Sequence, residues 1–68
     1  MANAREVVSF LLRQGYSEAR QSGSHLILKQ PERNMVIVPV HRGKDLPKGL
    51  LLKILKEAAF TIEEFRKG

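Results

Sequence analysis

The run Gly23-Ser24-His25 places an imidazole directly after a tight-turn signal and at the start of a strand-like segment. An imidazole changes charge within roughly pH 5 to 8, so it can take and give a proton near neutrality. RNA carries its own nucleophile, the 2′-hydroxyl. A base that removes that proton promotes attack on the adjacent phosphorus and needs no metal. Cations beside the phosphate stabilise the charge that develops on its oxygens. Lys29 on the same strand, and Arg42 and Lys44 from a later basic loop, are the candidates for holding phosphate. Ser24 is placed to hydrogen-bond a phosphate or to orient the ring. His41 is a second imidazole, suited to ending a strand, contacting a phosphate or taking part in proton transfer. The residues also admit a plainer reading: an exposed histidine in a basic domain is ordinary surface or a simple RNA contact. A metal site is not expected, because the acids nearest His25 in sequence, Glu18 and Glu32, fall in other elements and there is no cysteine. No cofactor is expected either.

Sixty-eight residues form one domain, residues 1–68, with a small core. Twelve Lys and Arg against seven Asp and Glu give a formal charge of +5. An excess of that size favours a polyanionic partner, and nucleic acid is the commonest. The cations are scattered rather than gathered in a tail, which indicates a folded basic surface. The absence of cysteine excludes a disulfide framework. No apolar run approaches the roughly 20 residues of a membrane span, and the N-terminus lacks a signal-peptide pattern. The expectation is a soluble cytoplasmic protein with no membrane contact.

The elements follow from periodicity and punctuation. Asn3 is a candidate N-cap, and Ala4, Val7, Val8, Leu11 and Leu12 recur at helical spacing, predicting a helix over Asn3–Gln14 that Gly15 ends. Three strands are expected at Tyr16–Gln21, His25–Gln30 and Met35–Val40. They are joined by turns at Ser22-Gly23-Ser24 and Pro31-Glu32-Arg33-Asn34. Asp45 is expected to cap a second helix, with Pro47 near its first turn and an apolar stripe of Leu50, Leu51, Ile54, Leu55 and Ala58. Thr61-Ile62-Glu63-Glu64 reads as a capping box opening a last short helix through Phe65. The order is α-β-β-β-α with a terminal turn of helix. This is an α+β fold in which helices cover one face of a three-stranded antiparallel meander. Strand parity puts Leu26 and Leu28 toward the core, and His25, Ile27 and Lys29 on the free face. The loop His41–Leu46 reads either as a phosphate clamp or as a solvated connection.

Taken together, these residues resemble the HicA-type toxins, the YcfA-like mRNA interferases of bacterial type II toxin–antitoxin systems. The resemblance covers nearly the whole chain. It runs through the opening helix ending in Gly15-Tyr16, Gly23-Ser24-His25, the long segment Val38-Pro39-Val40-His41-Arg42-Gly43-Lys44-Asp45-Leu46-Pro47-Lys48-Gly49, then Ile54-Leu55-Lys56-Glu57-Ala58 and Glu63-Glu64-Phe65. It implies a fold like that of double-stranded-RNA-binding domains and ribosome-independent cleavage of mRNA. It implies that His25 is the catalytic residue, and that a HicB-type antitoxin covers the active surface. Two departures from the family pattern stand out. Ala59 follows Ala58 where the family usually has glycine, and Leu26-Ile27-Leu28 is unusually apolar. The alternatives are a non-catalytic module that binds duplex RNA by shape, and an interaction module whose basic face meets an acidic protein.

Overall fold

The computed structural model describes residues 2–40 and 45–67, in the order α1 (Ala4–Arg13), β1 (Ser17–Ser22), β2 (His25–Gln30), β3 (Arg33–Pro39), α2 (Lys48–Glu57) and α3 (Ile62–Lys67). The sheet order is β1-β2-β3, all antiparallel. Residues 41–44, including His41, Arg42 and Lys44, lie outside the described residues.

Local chemistry fixes the ends of α1. The Asn3 side chain accepts from the Glu6 N–H at 2.9 Å, and Glu6 Oε1 accepts from the Asn3 N–H at 3.0 Å, a reciprocal capping box. At the other end Gly15 turns left-handed, with φ +101. The Gly15 N–H then reaches the Leu12 carbonyl, and the Tyr16 N–H reaches that of Leu11. These two bonds are a Schellman ending. The buried face of α1 is Ala4, Val7, Phe10 and Leu11. Leu12, assigned to that face by spacing, is 41% exposed, and Phe10 takes the inward position. The Phe10 ring is the hub of the helix layer. It meets Phe60 and Phe65 edge-on at centroid distances of 5.1 and 5.4 Å.

The strands differ from the sequence reading mainly at their ends. β1 and β3 run Ser17–Ser22 and Arg33–Pro39, so the expected four-residue turn after β2 closes in two, Pro31 and Glu32. Arg33 pairs with Gln30 and joins the sheet. Gly23 at φ +60 opens the two-residue turn between Ser22 and His25, where a side chain would be strained.

Asp45 does not cap α2. It forms an isolated bridge with Asn3, the Leu46 N–H donates to the Ala2 carbonyl, and Pro47 occupies the N-cap without a side-chain bond. Burying Leu46 beside Ala2 draws this segment onto the start of the chain and takes Asp45 away from the helix end. Leu51, Ile54 and Leu55 face Val36 and Val38 across the core. The Thr61–Glu64 capping box opens α3 as expected, with bonds of 2.8 and 3.1 Å. That helix runs on to Lys67.

Candidate nucleic-acid interface on the open sheet face

Burial along β2 alternates as the parity argument requires. Leu26 and Leu28 are buried, whereas His25 and Lys29 are exposed and Ile27 is half-buried. Cross-strand register extends that face to the neighbouring strands. His25 lies between Ser22 and Pro39, and Ile27 lies between Arg20 and Ile37. The open face thus carries an apolar strip of Ile27, Ile37 and Met35, with Ile37 44% and Met35 49% exposed. Polar and cationic groups flank it.

His25 sits at one end of this face, directly after the Gly23-Ser24 turn. The turn is held to β3 by the Val40 N–H, which donates to the Ser24 carbonyl at 2.6 Å. Ser24 is half-buried and adjacent to the imidazole in sequence. Lys29 shares the face but pairs with Ser17 at its far end. Four residues of strand put the two α-carbons about 13 Å apart. His25 and Lys29 therefore cannot touch one phosphate together. Lys29 is placed for a phosphate further along a bound strand.

A cation nearer to His25 is Arg20, which sequence reasoning missed. It pairs with Ile27, two residue pairs from Ser22–His25 and on the same face, so it is the diagonal neighbour of His25 at about 7–8 Å. β1 carries no apolar alternation to reveal its faces, because all six of its residues are exposed. It also bulges between Glu18 and Arg20, which shifts parity partway along. Only the pairing reveals which side Arg20 takes.

Among the described residues no His, Asp and Glu side chains cluster in the threes that a metal ion needs. Arg42 and Lys44, the other two phosphate candidates, fall outside the described residues, as does His41.

The fold, the exposed turn histidine and the spacing of the motifs converge with a comparison of the sequence. Residues 4–59 match the family described as the HicA toxin of bacterial toxin–antitoxin systems. The chain belongs to the HicA toxin family. No curated protein matches it. As a HicA toxin it is one half of a toxin–antitoxin pair, and its counterpart is an antitoxin. Among the described residues no helix is long and apolar enough to cross a membrane.

The opposite end of the sheet is built differently. Arg33 Nη1 donates to the Ala58 carbonyl at 2.7 Å and the Ala59 carbonyl at 3.3 Å, and its guanidinium lies 4.1 Å from the Phe60 ring centroid. Asn34 Nδ2 donates to the Glu57 carbonyl, and the Tyr16 hydroxyl donates to the Asn34 carbonyl at 2.8 Å. Burial raises the Tyr16 phenol above its ordinary pKa, and the Arg33 charge pulls against that rise. These residues tie the β2–β3 turn to the C-terminus of α2, where three carbonyls would otherwise lack partners.

Proposed function

We propose that this HicA toxin is a ribosome-independent endoribonuclease, an mRNA interferase, that cuts RNA by metal-free transesterification at His25. The observation that carries the reading is an exposed imidazole at the rim of a basic open face, beside Ser24 and diagonal to Arg20. The neutral ring takes the proton of a ribose 2′-hydroxyl. The 2′-oxygen forms a bond to the adjacent phosphorus, and the bond to the 5′-oxygen of the next nucleotide breaks. The imidazolium so formed is the proton donor at hand for that leaving oxygen. The products are a 2′,3′-cyclic phosphate and a free 5′-hydroxyl. Arg20 offsets the charge that develops on the phosphoryl oxygens. Ser24 orients the ring or the phosphate, Lys29 holds a neighbouring phosphate, and Arg42 and Lys44 contribute phosphate contacts from the loop. The enzyme works in the cytoplasm on mRNA, and a HicB-type antitoxin silences it by covering this face, with Ile27, Ile37 and Met35 as the apolar part of the contact.

The test is cleavage of a labelled transcript in EDTA by the wild type and by His25→Ala, with folding of both checked by circular dichroism. The wild type is expected to yield cyclic-phosphate ends, and the variant to lose about 10²–10⁴-fold in rate. Full cleavage by folded His25→Ala overturns the histidine mechanism. RNA binding by both proteins with cleavage by neither makes the domain a binding module.

A further inference from the structure

On the helix layer, away from the open sheet face, α1 and α3 enclose an open groove of about 440 Å³ lined by Arg5, Glu6, Ser9, Arg13, Phe65 and Arg66. The helical repeat aligns two of the cations and the hydroxyl. Arg5, Ser9 and Arg13 stand four residues apart on one stripe of α1, so Arg5 and Arg13 are separated by about 12 Å along the axis. Arg66 faces them from α3. Glu6 is the acid in the lining, and its carboxylate is engaged by the Asn3 N–H in the capping box. The guanidinium groups of Arg5 and Arg66, set against one committed carboxylate, make a concave surface complementary to phosphate. The groove also has an aromatic wall: Phe65 is half-buried, held edge-on to Phe10 at 5.4 Å. A cationic track with an aromatic side chain along it is the arrangement by which proteins hold single-stranded nucleic acid without reading sequence.

We infer that this groove is a second, non-catalytic binding site for single-stranded RNA, holding backbone phosphates on Arg5 and Arg66 and a base against Phe65. The inference rests on the proposal that RNA is the substrate, and extends it to a surface outside the His25 face. A transcript long enough to reach both surfaces is held more tightly than a fragment that covers His25 alone. The groove thereby favours long RNA over short oligonucleotides while leaving the chemistry at His25 unchanged.

Binding is measured on His25→Ala protein, so that RNA is not consumed, with an unstructured 30-nucleotide RNA over a range of salt. The groove variant is Arg5→Gln/Arg66→Gln. The control, Lys53→Gln/Lys56→Gln on α2, removes the same charge outside the groove. Each lost phosphate contact lowers the slope of log K against log salt by about 0.7, so the groove variant is expected to lose about 1.4 in slope and about 25-fold in affinity at 0.1 M salt. Phe65→Leu is expected to weaken binding with the slope unchanged. In the His25 background, cleavage of a dinucleotide is expected to be equal for the wild type and the groove variant. Equal RNA affinity and slope for the groove and control variants overturn the inference, as does a dinucleotide rate that falls with the groove variant. Failure of the wild type to cut any RNA defeats the nuclease proposal alone, because the groove is judged on binding.

Discussion

The two ends of strand β2 are built on opposite plans. At Gln30 the neighbouring turn is tied down: Arg33 and Asn34 together donate to the carbonyls of Glu57, Ala58 and Ala59, and Arg33 lies against the Phe60 ring. At His25 no side chain among the described residues bonds the imidazole, and what holds the place is backbone, through the Ser24–Val40 bond and the left-handed Gly23. One end spends its polar groups on keeping α2 on the sheet, and the other leaves its side chains open to a ligand. The difference teaches where stability and chemistry reside in so small a domain. They are separated by the length of a strand, so one can be altered without the other.

The sharpest way to break this contrast is to exchange the expected losses. Arg33→Ala removes two carbonyl bonds and a cation–π contact, and is expected to cost about 2 kcal/mol. In a domain this small that lowers Tm by roughly 10 °C. Cleavage per folded molecule is expected to persist, whereas His25→Ala leaves Tm within about 2 °C. Calorimetry and a cleavage assay on both variants check the pair, and loss of activity in folded Arg33→Ala would show that the two ends are coupled.

A smaller effect sharpens the picture at the stable end. Tyr16→Phe removes the hydrogen bond to the Asn34 carbonyl, at a cost of about 1 kcal/mol near neutrality. Because the folded phenol titrates above its unfolded value, the neutral form favours the folded state. The associated stability is whole below about pH 10 and is lost as pH rises through the higher folded value. Denaturant curves should show the gap between the wild type and Tyr16→Phe closing above that pH. Tyr16 is the chain's one tyrosine, so its absorbance titration reports the site directly.

The smallest expected effect has the opposite sign. α1 and α2 end in the same Schellman bonds, but α2 places Ala59 at φ 64 where α1 has Gly15. A non-glycine residue there costs about 1–2 kcal/mol, partly offset by the lower flexibility of alanine in the unfolded chain. Ala59→Gly is therefore expected to stabilise by about 0.5–1 kcal/mol, read as a rise in denaturant midpoint at unchanged slope. No gain would mean that the Arg33 contacts to Ala58 and Ala59 already hold the strained turn at no net cost.

Much of this was legible in the chain. The α-β-β-β-α order, the Asn3 N-cap, the Thr61–Glu64 capping box and the outward face of His25, Ile27 and Lys29 follow from residue spacing alone. Three features did not. Arg33 and Asn34 read as turn residues because their partners on α2 lie more than twenty positions away in sequence. Arg20 was hidden in a strand with no apolar residue facing the core and a bulge in its parity. Asp45 has the right type and place for a helix cap, yet the pull of Leu46 into the core beside Ala2 gave it a different neighbour. In each case a long-range contact overrode a local preference.

The bridge from Asn3 to Asp45, with Leu46 bonded back to Ala2, has a consequence for how the toxin is made. Ala2 and Asn3 find these partners only after some forty more residues have followed them. At about 5–20 residues per second the opening helix waits several seconds for its closing contact. A chain cut short before Asp45 therefore leaves Ala2 and Asn3 without these partners, and its core lacks all of α2. The contact that closes the domain onto its opening helix thus forms only after all three strands have been made.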